Sequence, residues 1–376
     1  MRTGKFLLLL LSAAPASAAE PGWKVGWGFE SHGGFPSLPA HWRSYAMRDS
    51  VAGYFLGNAS GLDSPDELAA EDRFRVVGIG WQLDNIPSHY SHLEQYEIAE
   101  ATALKALRPD AKVMVLRNTE VATVFWDSAK AKMFDNTTQS WWTQCGDKPC
   151  QGVWSSPAGN TPKYFFNFSN PDLAQWWVED FVGGVLDNDL FDGVYFDCSC
   201  GAPPGDHLDQ QRMQADAQVA FDQALARIAA AGKWASAWNS DGAITKAGDA
   251  CSSSVRTWIE KGANPNVTLQ VLAPSFKHLP PASAPPTTMA GNNTVAAFLI
   301  ARGASAMLEL PVKGAYGLAD TYGWSPLFDA DFGEPDGPGR EIISGVFTRE
   351  WSKATVTLDC NTFTSNFIFS SPSKPR

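Results

Sequence analysis

The sequence contains few long hydrophobic runs. The apolar run near its start, Phe6 to Leu11, is far too short to span a bilayer, and no later stretch is long enough. The C-terminal sequence Ser-Ser-Pro-Ser-Lys-Pro-Arg is polar and lacks the features of a lipid-anchor signal. We therefore expect no membrane span.

Positive charge and phosphate-binding loops are also scarce. The chain has 29 Lys and Arg residues against 40 Asp and Glu residues, a formal net charge of −11. An acidic surface disfavours nucleic acid and anionic membranes as partners. A Gly-rich phosphate loop and a G-x-S-x-G nucleophile elbow are both missing, which disfavours dinucleotide binding and serine-hydrolase chemistry. We expect no cofactor.

Metal-ligand patterns are weak. His89 and His92 have helical i, i+3 spacing and Glu97 follows, but no other His or Cys lies near them in a ligand pattern. C-x-x-C is absent, which disfavours thiol chemistry. We therefore predict no metal site.

The N-terminal residues predict export. Arg2 and Lys5, the apolar run and Ala16-Ser17-Ala18 form the charged start, apolar core and A-x-A end of a secretory signal peptide. We assign residues 1–18 to this peptide and 19–376 to a single domain, and we expect a soluble, secreted, extracellular protein. The oligomeric state stays open.

Six cysteines, an even number, favour disulfides in an oxidising compartment. Fifteen pairings are possible. Cys145 and Cys150 would close a small polar loop, whereas Cys198 and Cys200 are expected to reach Cys251 or Cys360. The sequons of a glycoprotein begin at Asn58, Asn136, Asn167, Asn266 and Asn292.

Strand and helix signals alternate along the chain, which predicts a parallel sheet. The predicted strands are Lys24–Glu30, Arg75–Gln82, Lys112–Asn118, Gly193–Asp197, Lys233–Asn239, Val255–Glu260, Thr268–Ala273 and Ser305–Leu310. The predicted helices are Ala40–Arg48, Ser91–Leu107, Val121–Met133, Pro171–Leu186, Leu208–Ala231 and Thr294–Arg302. The fold class is therefore α/β, a (β/α)8 TIM barrel. From Arg340 onward, the arms Gly345–Trp351 and Thr355–Asp359 predict a C-terminal β-hairpin extension.

The segment Phe191-Asp192-Gly193-Val194-Tyr195-Phe196-Asp197 is the most informative stretch. Because side chains alternate along a strand, Tyr195 and Asp197 share one face. In a barrel the active site lies at the C-terminal ends of the strands, which is where Asp197 stands. We therefore interpret Asp197 as a site residue and Tyr195 as a neighbour that contacts substrate. Asp192 begins the strand and is assigned to the opposite, structural end.

Acids and amides recur at the predicted strand ends. Cleavage of a glycosidic bond needs two carboxyl groups, one that protonates the leaving oxygen and one that stabilises or attacks the sugar or activates water. Asp197 and Glu260 are the predicted catalytic pair, with Glu260 as general acid and Asp197 as nucleophile or charge stabiliser. Glu309, which stands in an apolar run, and Asp241 are the alternatives to Glu260.

The remaining polar strand ends are predicted to bind sugar hydroxyls. Fifteen tryptophans fit either a large aromatic core or a cleft whose rings stack on sugar faces. The predicted substrate-binding residues are Glu30, Arg117, Asn118, Tyr195, Asn239, Asp241 and Glu309, with Trp27, Trp81 and Trp238 as stacking platforms.

These residues resemble a known family. The F-D-G-V-Y-F-D strand, the preceding Phe166-Asn167-Phe168-Ser169-Asn170-Pro171 and the closing blocks Tyr322–Pro326, Gly333–Pro335 and Phe347–Trp351 are similar to glycoside-hydrolase-like (β/α)8 barrels related to secreted polygalactosaminidase-type glycosidases. In such barrels an acid ends the fourth strand and a second acid ends a later one, which implies Asp197 and Glu260 here. Cys198 and Cys200, directly after the first acid, depart from the family pattern.

Together these features predict a secreted glycoside hydrolase that cleaves a polysaccharide or oligosaccharide with two carboxyl groups. Two alternatives remain. A non-catalytic carbohydrate-binding barrel would leave Glu260 pointing away from Asp197. A structural glycoprotein would show an open cleft with few convergent polar groups.

Overall fold

A parallel sheet of seven strands forms the centre of the fold. The computed structural model describes residues 35–55, 62–80, 92–156, 159–197, 210–237, 241–273, 289–313 and 325–370. The strands are β1 (Val51–Phe55), β2 (Val76–Ile79), β3 (Lys112–Asn118), β4 (Gly193–Asp197), β5 (Trp234–Ala237), β6 (Leu269–Leu272) and β7 (Ala306–Lys313). They pair in the order β5-β4-β3-β2-β1-β7-β6, and every pair is parallel.

The sheet curves into a nearly closed barrel. Between edge strands β5 and β6, the Asp241 N–H donates to Gln270 O and the Leu272 N–H donates to Gly242 O. The Ala237 N–H on β5 also donates to the Gln270 side chain on β6, at 3.4 Å. These bonds bridge the two edges, so the predicted α/β barrel is confirmed.

Helices surround the described strands. They are α1 (Pro65–Glu71), α2 (Leu93–Leu107), α3 (Asp127–Met133), α4, α5 (Gln210–Ala230), α6 (Asp249–Gly262) and α7 (Met289–Ala301). Helix α4 runs as α over Pro171–Trp176, as π over Trp177–Val182 and as α over Gly183–Leu186. Short 3-10 helices cover Ala40–Trp42, Arg48–Ser50, Asn136–Trp141 and Pro326–Phe328. Within the described residues, no helix is both long and apolar enough to cross a bilayer.

Most predicted elements are confirmed within a few residues, and the exceptions have local causes. Val255–Glu260 is not a strand: it lies in α6, where Cys251, Val255 and Trp258 are buried at the i, i+4, i+7 spacing of one helix face. Strand β1 was not predicted. Ala40–Arg48 forms two short 3-10 helices instead of one helix. The predicted strand Lys24–Glu30 lies outside the described residues.

A small insertion follows β3. The predicted helix Val121–Met133 begins instead as a strand, Val121–Thr123, and becomes helical only at Asp127. That strand pairs antiparallel with Gly159–Phe165, which in turn pairs antiparallel with Gln151–Ser156. Two further strands of two residues each, Gln144–Cys145 and Lys148–Pro149, pair antiparallel. Cys145, at the end of the first, forms the predicted disulfide with Cys150, which directly follows the second.

The C-terminal residues form a second, antiparallel sheet. Its strands are β8 (Arg340–Ile343), β9 (Val346–Trp351), β10 (Ala354–Asp359) and β11 (Thr364–Phe369), in sequential order. The predicted hairpin is therefore confirmed as β9 and β10. The sheet packs on α7.

A buried arginine and a disulfide attach this sheet to the barrel. The Arg349 guanidinium donates to backbone carbonyls at the end of α7, among them that of Arg302. Cys360 bonds Cys251 on α6. The expected pairing of Cys198 or Cys200 with these cysteines is therefore wrong, because the barrel brings Cys251 and Cys360 together.

The two disulfides should differ in their contribution to stability. The Cys251–Cys360 bridge spans 109 residues and the Cys145–Cys150 bridge spans 5. Loop-closure entropy predicts a loss of about 5 kcal/mol in the free energy of unfolding for Cys251→Ala/Cys360→Ala, against about 2 kcal/mol for Cys145→Ala/Cys150→Ala. Urea unfolding of both double variants measures the difference. Equal losses would contradict the prediction.

Candidate functional site

Asp197 stands at the C-terminal end of β4, where the barrel opens. Gly193 to Phe196 are buried, whereas Asp197 is half-buried. The Asp197 backbone pairs with Asn118 on β3, and its carbonyl accepts the Thr119 N–H. The strand therefore fixes the backbone of the acid and leaves its carboxyl group at the mouth.

Asn118, which lies beside Asp197, organises the loop after β3. Its Oδ1 accepts the backbone N–H groups of Glu120 at 2.9 Å and Val121 at 2.8 Å. The Asn118 carbonyl accepts the indole N–H of Trp177. Asn118 thus shapes one wall of the mouth, and its predicted contact with sugar stays a prediction.

Below the mouth, polar side chains from four strands meet inside the barrel. The Tyr54 hydroxyl on β1 donates to Glu309 Oε1 on β7 at 2.9 Å and lies 3.1 Å from Ser236 Oγ on β5. The Tyr54 ring contacts the Tyr195 ring on β4 edge-to-face, with centroids 4.8 Å apart. Since Tyr195 shares its strand face with Asp197, this cluster extends toward the mouth.

A glycine provides the space for the two tyrosine rings. An added Cβ at Gly78 on β2 would lie 2.2 Å from Tyr54 Cδ1 and 3.1 Å from Tyr195 Cε1. Glu309 Oε2 and Tyr195 Oη have no hydrogen-bond partner among the described residues. The interior is therefore polar as well as tightly packed.

The interior shifts the acidity of its groups. Burial raises the pKa of the Glu309 carboxyl to about 8, an effect opposed by the hydrogen bond from Tyr54. Burial, and then the nearby Glu309, raise the pKa of Tyr54 well above its usual value. Burial, and then Asp197, raise the pKa of Tyr195. At neutral pH Glu309 is therefore a neutral carboxylic acid, the form that a proton donor requires.

Arg117 does not face the mouth. Next to Asn118 in sequence, it points to the outer side of β3, where its guanidinium bonds both oxygens of Glu97 on α2 at 2.9–3.1 Å. Its Nε also donates to Phe181 O. Both members of this ion pair are buried. The expectation that Arg117 binds sugar hydroxyls is wrong for this position, since alternate residues of a strand face opposite sides.

Glu260 lies away from the strand ends. It occupies an exposed position on α6, the opposite side of the helix from buried Val255 and Trp258. The expectation that it ends a strand is wrong, because the apolar run around it belongs to a helix that covers the barrel.

Asp241 is enclosed by partners. Lys261 on α6 bonds both of its carboxylate oxygens at 2.6 and 2.8 Å, and Asp241 Oδ2 also accepts the Gln270 N–H. Burial raises the pKa of the Asp241 carboxyl, and Lys261 opposes that rise. Asp241 therefore joins α6 to β6 at the closing edge of the barrel.

Several predicted contacts lie outside the described residues, namely Trp27, Glu30, Trp81, Trp238 and Asn239. Their roles stay predictions. Most described tryptophans are buried, and Trp126, Trp142, Trp177 and Trp234 are fully buried, which favours the aromatic-core interpretation for them.

Sequence reasoning missed two members of the interior cluster, Tyr54 and Ser236. The run Val51-Ala52-Gly53-Tyr54-Phe55 is a short apolar segment that could have been assigned to a strand. No sequence signal connects Tyr54 to Glu309, because 255 residues separate them.

A second acidic cluster was also missed. Among the described residues, the buried carboxyl groups of Asp63, Glu71 and Glu100 bring one oxygen each within 4.8 Å of one another. Such a donor set could hold a metal ion. The absence of a metal site therefore stays a prediction.

Replacing Arg117 with Leu should destabilise the fold. The substitution leaves Glu97 buried without its partner, which typically costs about 3–5 kcal/mol. Urea unfolding measures the loss, and Arg117→Leu/Glu97→Leu should recover part of it because no charge is then left buried. A variant with unchanged stability but weakened sugar binding would contradict this assignment.

Glu309 should make stability fall with rising pH. Its folded pKa of about 8 lies above the unfolded value near 4.5, so the folded state binds the extra proton between these pH values. The free energy of unfolding should fall by roughly 4 kcal/mol from pH 4.5 to 8 relative to Glu309→Gln. Urea titrations at several pH values measure it, and parallel curves for the two proteins would contradict it.

The comparisons with known proteins yield structural similarities only. No protein-family model and no curated protein matches the sequence. A cyclic α-maltosyl-(1→6)-maltose hydrolase from Arthrobacter globiformis aligns with a TM-score of 0.48 at 10% identity, over 86% of this chain and 99% of its own. A GH31 dextranase from Flavobacterium johnsoniae aligns with a TM-score of 0.46 at 10% identity, over 90% of this chain and 53% of its own.

A third solved structure aligns with this chain at a comparable TM-score and sequence identity. The α-N-acetylgalactosaminidase from Bifidobacterium bifidum aligns with a TM-score of 0.43 at 13% identity, over 88% of this chain and 58% of its own. The chain thus spans little more than half the length of this enzyme and of the dextranase.

Proposed function

We propose that this protein is a secreted, single-domain glycoside hydrolase that cleaves a polysaccharide with two carboxyl groups. The observation that carries the proposal is the placement of Asp197. It is the half-buried acid at the C-terminal end of a barrel strand, on the inner face that it shares with Tyr195. Catalytic groups of TIM barrels come from this end of the strands.

Glu309 is the proposed second carboxyl group. It lies on β7 inside the barrel, and burial keeps it protonated at neutral pH. Glu260 is exposed on an outer helix, and Asp241 is held by Lys261. Glu309, by contrast, lies inside the barrel, where its raised pKa retains the proton that a general acid must donate.

In the proposed mechanism, Asp197 acts as the carboxylate and Glu309 as the acid. Asp197 attacks the anomeric carbon or stabilises its positive charge, while Glu309 supplies a proton to the departing oxygen. Tyr54 holds Glu309 in place through its hydroxyl. Glu309 is fully enclosed by its neighbours, so the substrate must open a path to it on entering the mouth.

The enclosure of Glu309 also favours a second candidate, a non-catalytic carbohydrate-binding barrel. In that case Asp197 alone would contact the sugar, and the Tyr54–Glu309 cluster would only support the fold. The exposed position of Glu260, away from the strand ends, agrees with this alternative. Two disulfides among the described cysteines are compatible with an oxidising, extracellular location in either case.

Three substitutions separate the two candidates. Release of reducing ends from a panel of amino-sugar and neutral polysaccharides should fall at least about 100-fold in Asp197→Asn and in Glu309→Gln, the usual scale for losing an acid or base. Glu260→Gln is the matched control and should retain activity.

The pH profile adds a second test. Activity of the unmodified protein should decline as pH rises through about 8, since Glu309 then loses the proton that it must donate. Unchanged cleavage by a purified, folded Asp197→Asn protein would rule out the hydrolase mechanism. If neither the unmodified protein nor any variant cleaves the polysaccharides, although the unmodified protein binds them, the result favours the non-catalytic carbohydrate-binding barrel.

A further inference from the structure

A trough lies on the outside of the barrel, between the first turns of α4 and α5. Its volume is about 410 Å³, within the range of ligand pockets. These helices precede and follow β4, so both begin at the barrel end where Asp197 stands. The trough therefore leads away from the mouth along the outer surface.

One face of each helix forms a wall. The α4 wall has i, i+3, i+4, i+7 spacing and consists of Pro171, Ala174, Gln175 and Val178. The α5 wall repeats this spacing with Arg212, Asp216, Val219, Ala220 and Gln223. Small residues on both walls, Ala174 and Ala220, leave the space between the helices open.

The ends of the trough are tied across by polar contacts. Ser169 Oγ donates to Asp216 at the end near the mouth. An ion pair between Glu179 on α4 and Arg227 on α5 links the helices at the far end. These contacts hold the walls in place, so the trough is a built feature of the fold.

The α4 wall includes part of a π-helix. Val178 and Glu179, which line the trough, belong to the π stretch Trp177–Val182. π-Helical turns are rare and occur frequently at functional sites. This backbone feature is a second observation, independent of the open volume, that favours a binding site at the trough.

The charged groups of the lining are paired. Arg212 lies 3.7 Å from Asp216, and Glu179 is paired with Arg227. Each charged group of the lining therefore has an opposite charge beside it, Glu179 through Arg227 just outside the lining, and this arrangement suits an uncharged ligand. Gln175 and Gln223, exposed on opposite walls, carry amides that both donate and accept hydrogen bonds, as sugar hydroxyls do.

Apolar surface accompanies these amides. Val219 on the rim is 56% exposed. Phe168 and the two buried wall residues Val178 and Ala220 meet at the base of the walls and form the floor of the trough. Amides above an apolar floor match the alternation of hydroxyl groups and C–H surfaces on a sugar.

We propose that the trough binds an uncharged oligosaccharide segment of a polymer held at the mouth of the barrel. The proposal rests on the proposed function, because it takes its ligand class from that polymer. It adds a second contact region, which lengthens the bound segment and favours long chains over short ones.

Affinity gel electrophoresis in dextran, β-glucan and galactomannan tests the proposal, with polygalacturonate as the anionic comparison. At least one neutral polymer should retard the unmodified protein. Gln175→Ala/Gln223→Ala removes the amides and Ala174→Trp fills the trough. Each should raise the apparent Kd about tenfold, the double variant because one or two hydrogen bonds are lost and Ala174→Trp because its ring occupies the space of the ligand.

Gln95→Ala, which removes an exposed amide from α2, is the matched control and should bind normally. Cleavage of short oligosaccharides should be unchanged in the trough variants, and circular dichroism confirms that they are folded. Three results would overturn the proposal. All variants could be retarded equally, only polygalacturonate could retard the protein, or no neutral polymer could retard it.

Asp197→Asn separates this proposal from the catalytic one. It is compared with the trough variants in two measurements, the release of reducing ends and the retardation in the same gels. If Asp197→Asn still cleaves while the trough variants lose retardation, the catalytic assignment fails and the trough assignment stands. If Asp197→Asn loses cleavage while all trough variants bind normally, the trough assignment fails and the catalytic one stands.

Discussion

Closing a parallel sheet into a barrel forces every second side chain of each strand into a narrow interior, and this constraint governs the structure. The chain fills that interior with polar groups as well as apolar ones. The Tyr54 hydroxyl bonds both Ser236 and Glu309 across it, and Gly78 leaves room for the rings of Tyr54 and Tyr195. Burial makes an ionised Glu309 costly and raises the pKa of its carboxyl to about 8.

The same alternation separates neighbours in sequence. Asn118 and Arg117 are adjacent on β3, yet one borders the mouth and the other forms a buried ion pair with Glu97 behind the strand. Asp197 reaches the mouth for the same reason, two residues beyond the inward-facing Tyr195. On β3 and β4, one face thus borders the barrel interior and its mouth while the other packs against the surrounding helices.

Elements outside the barrel hold this arrangement in place. Asp241 and Lys261 join the closing edge of the sheet to α6, and Cys251 joins α6 to the C-terminal sheet through Cys360. Arg349 then ties that sheet to the end of α7. Helix α6 therefore connects the closing edge of the barrel to the C-terminal sheet.

The sequence by itself determined the α/β class, six of the seven barrel strands, the C-terminal hairpin and the position of Asp197 at a strand end. These depend on local patterns: alternation, helix spacing and an acid after a buried run. Glu260 was misplaced because an apolar run rich in β-branched residues fits a strand as well as a helix until its burial is known. Tyr54, Ser236 and Glu309 were brought together only by the tertiary structure, because barrel closure joins strands far apart in sequence and no local pattern encodes which of their side chains meet.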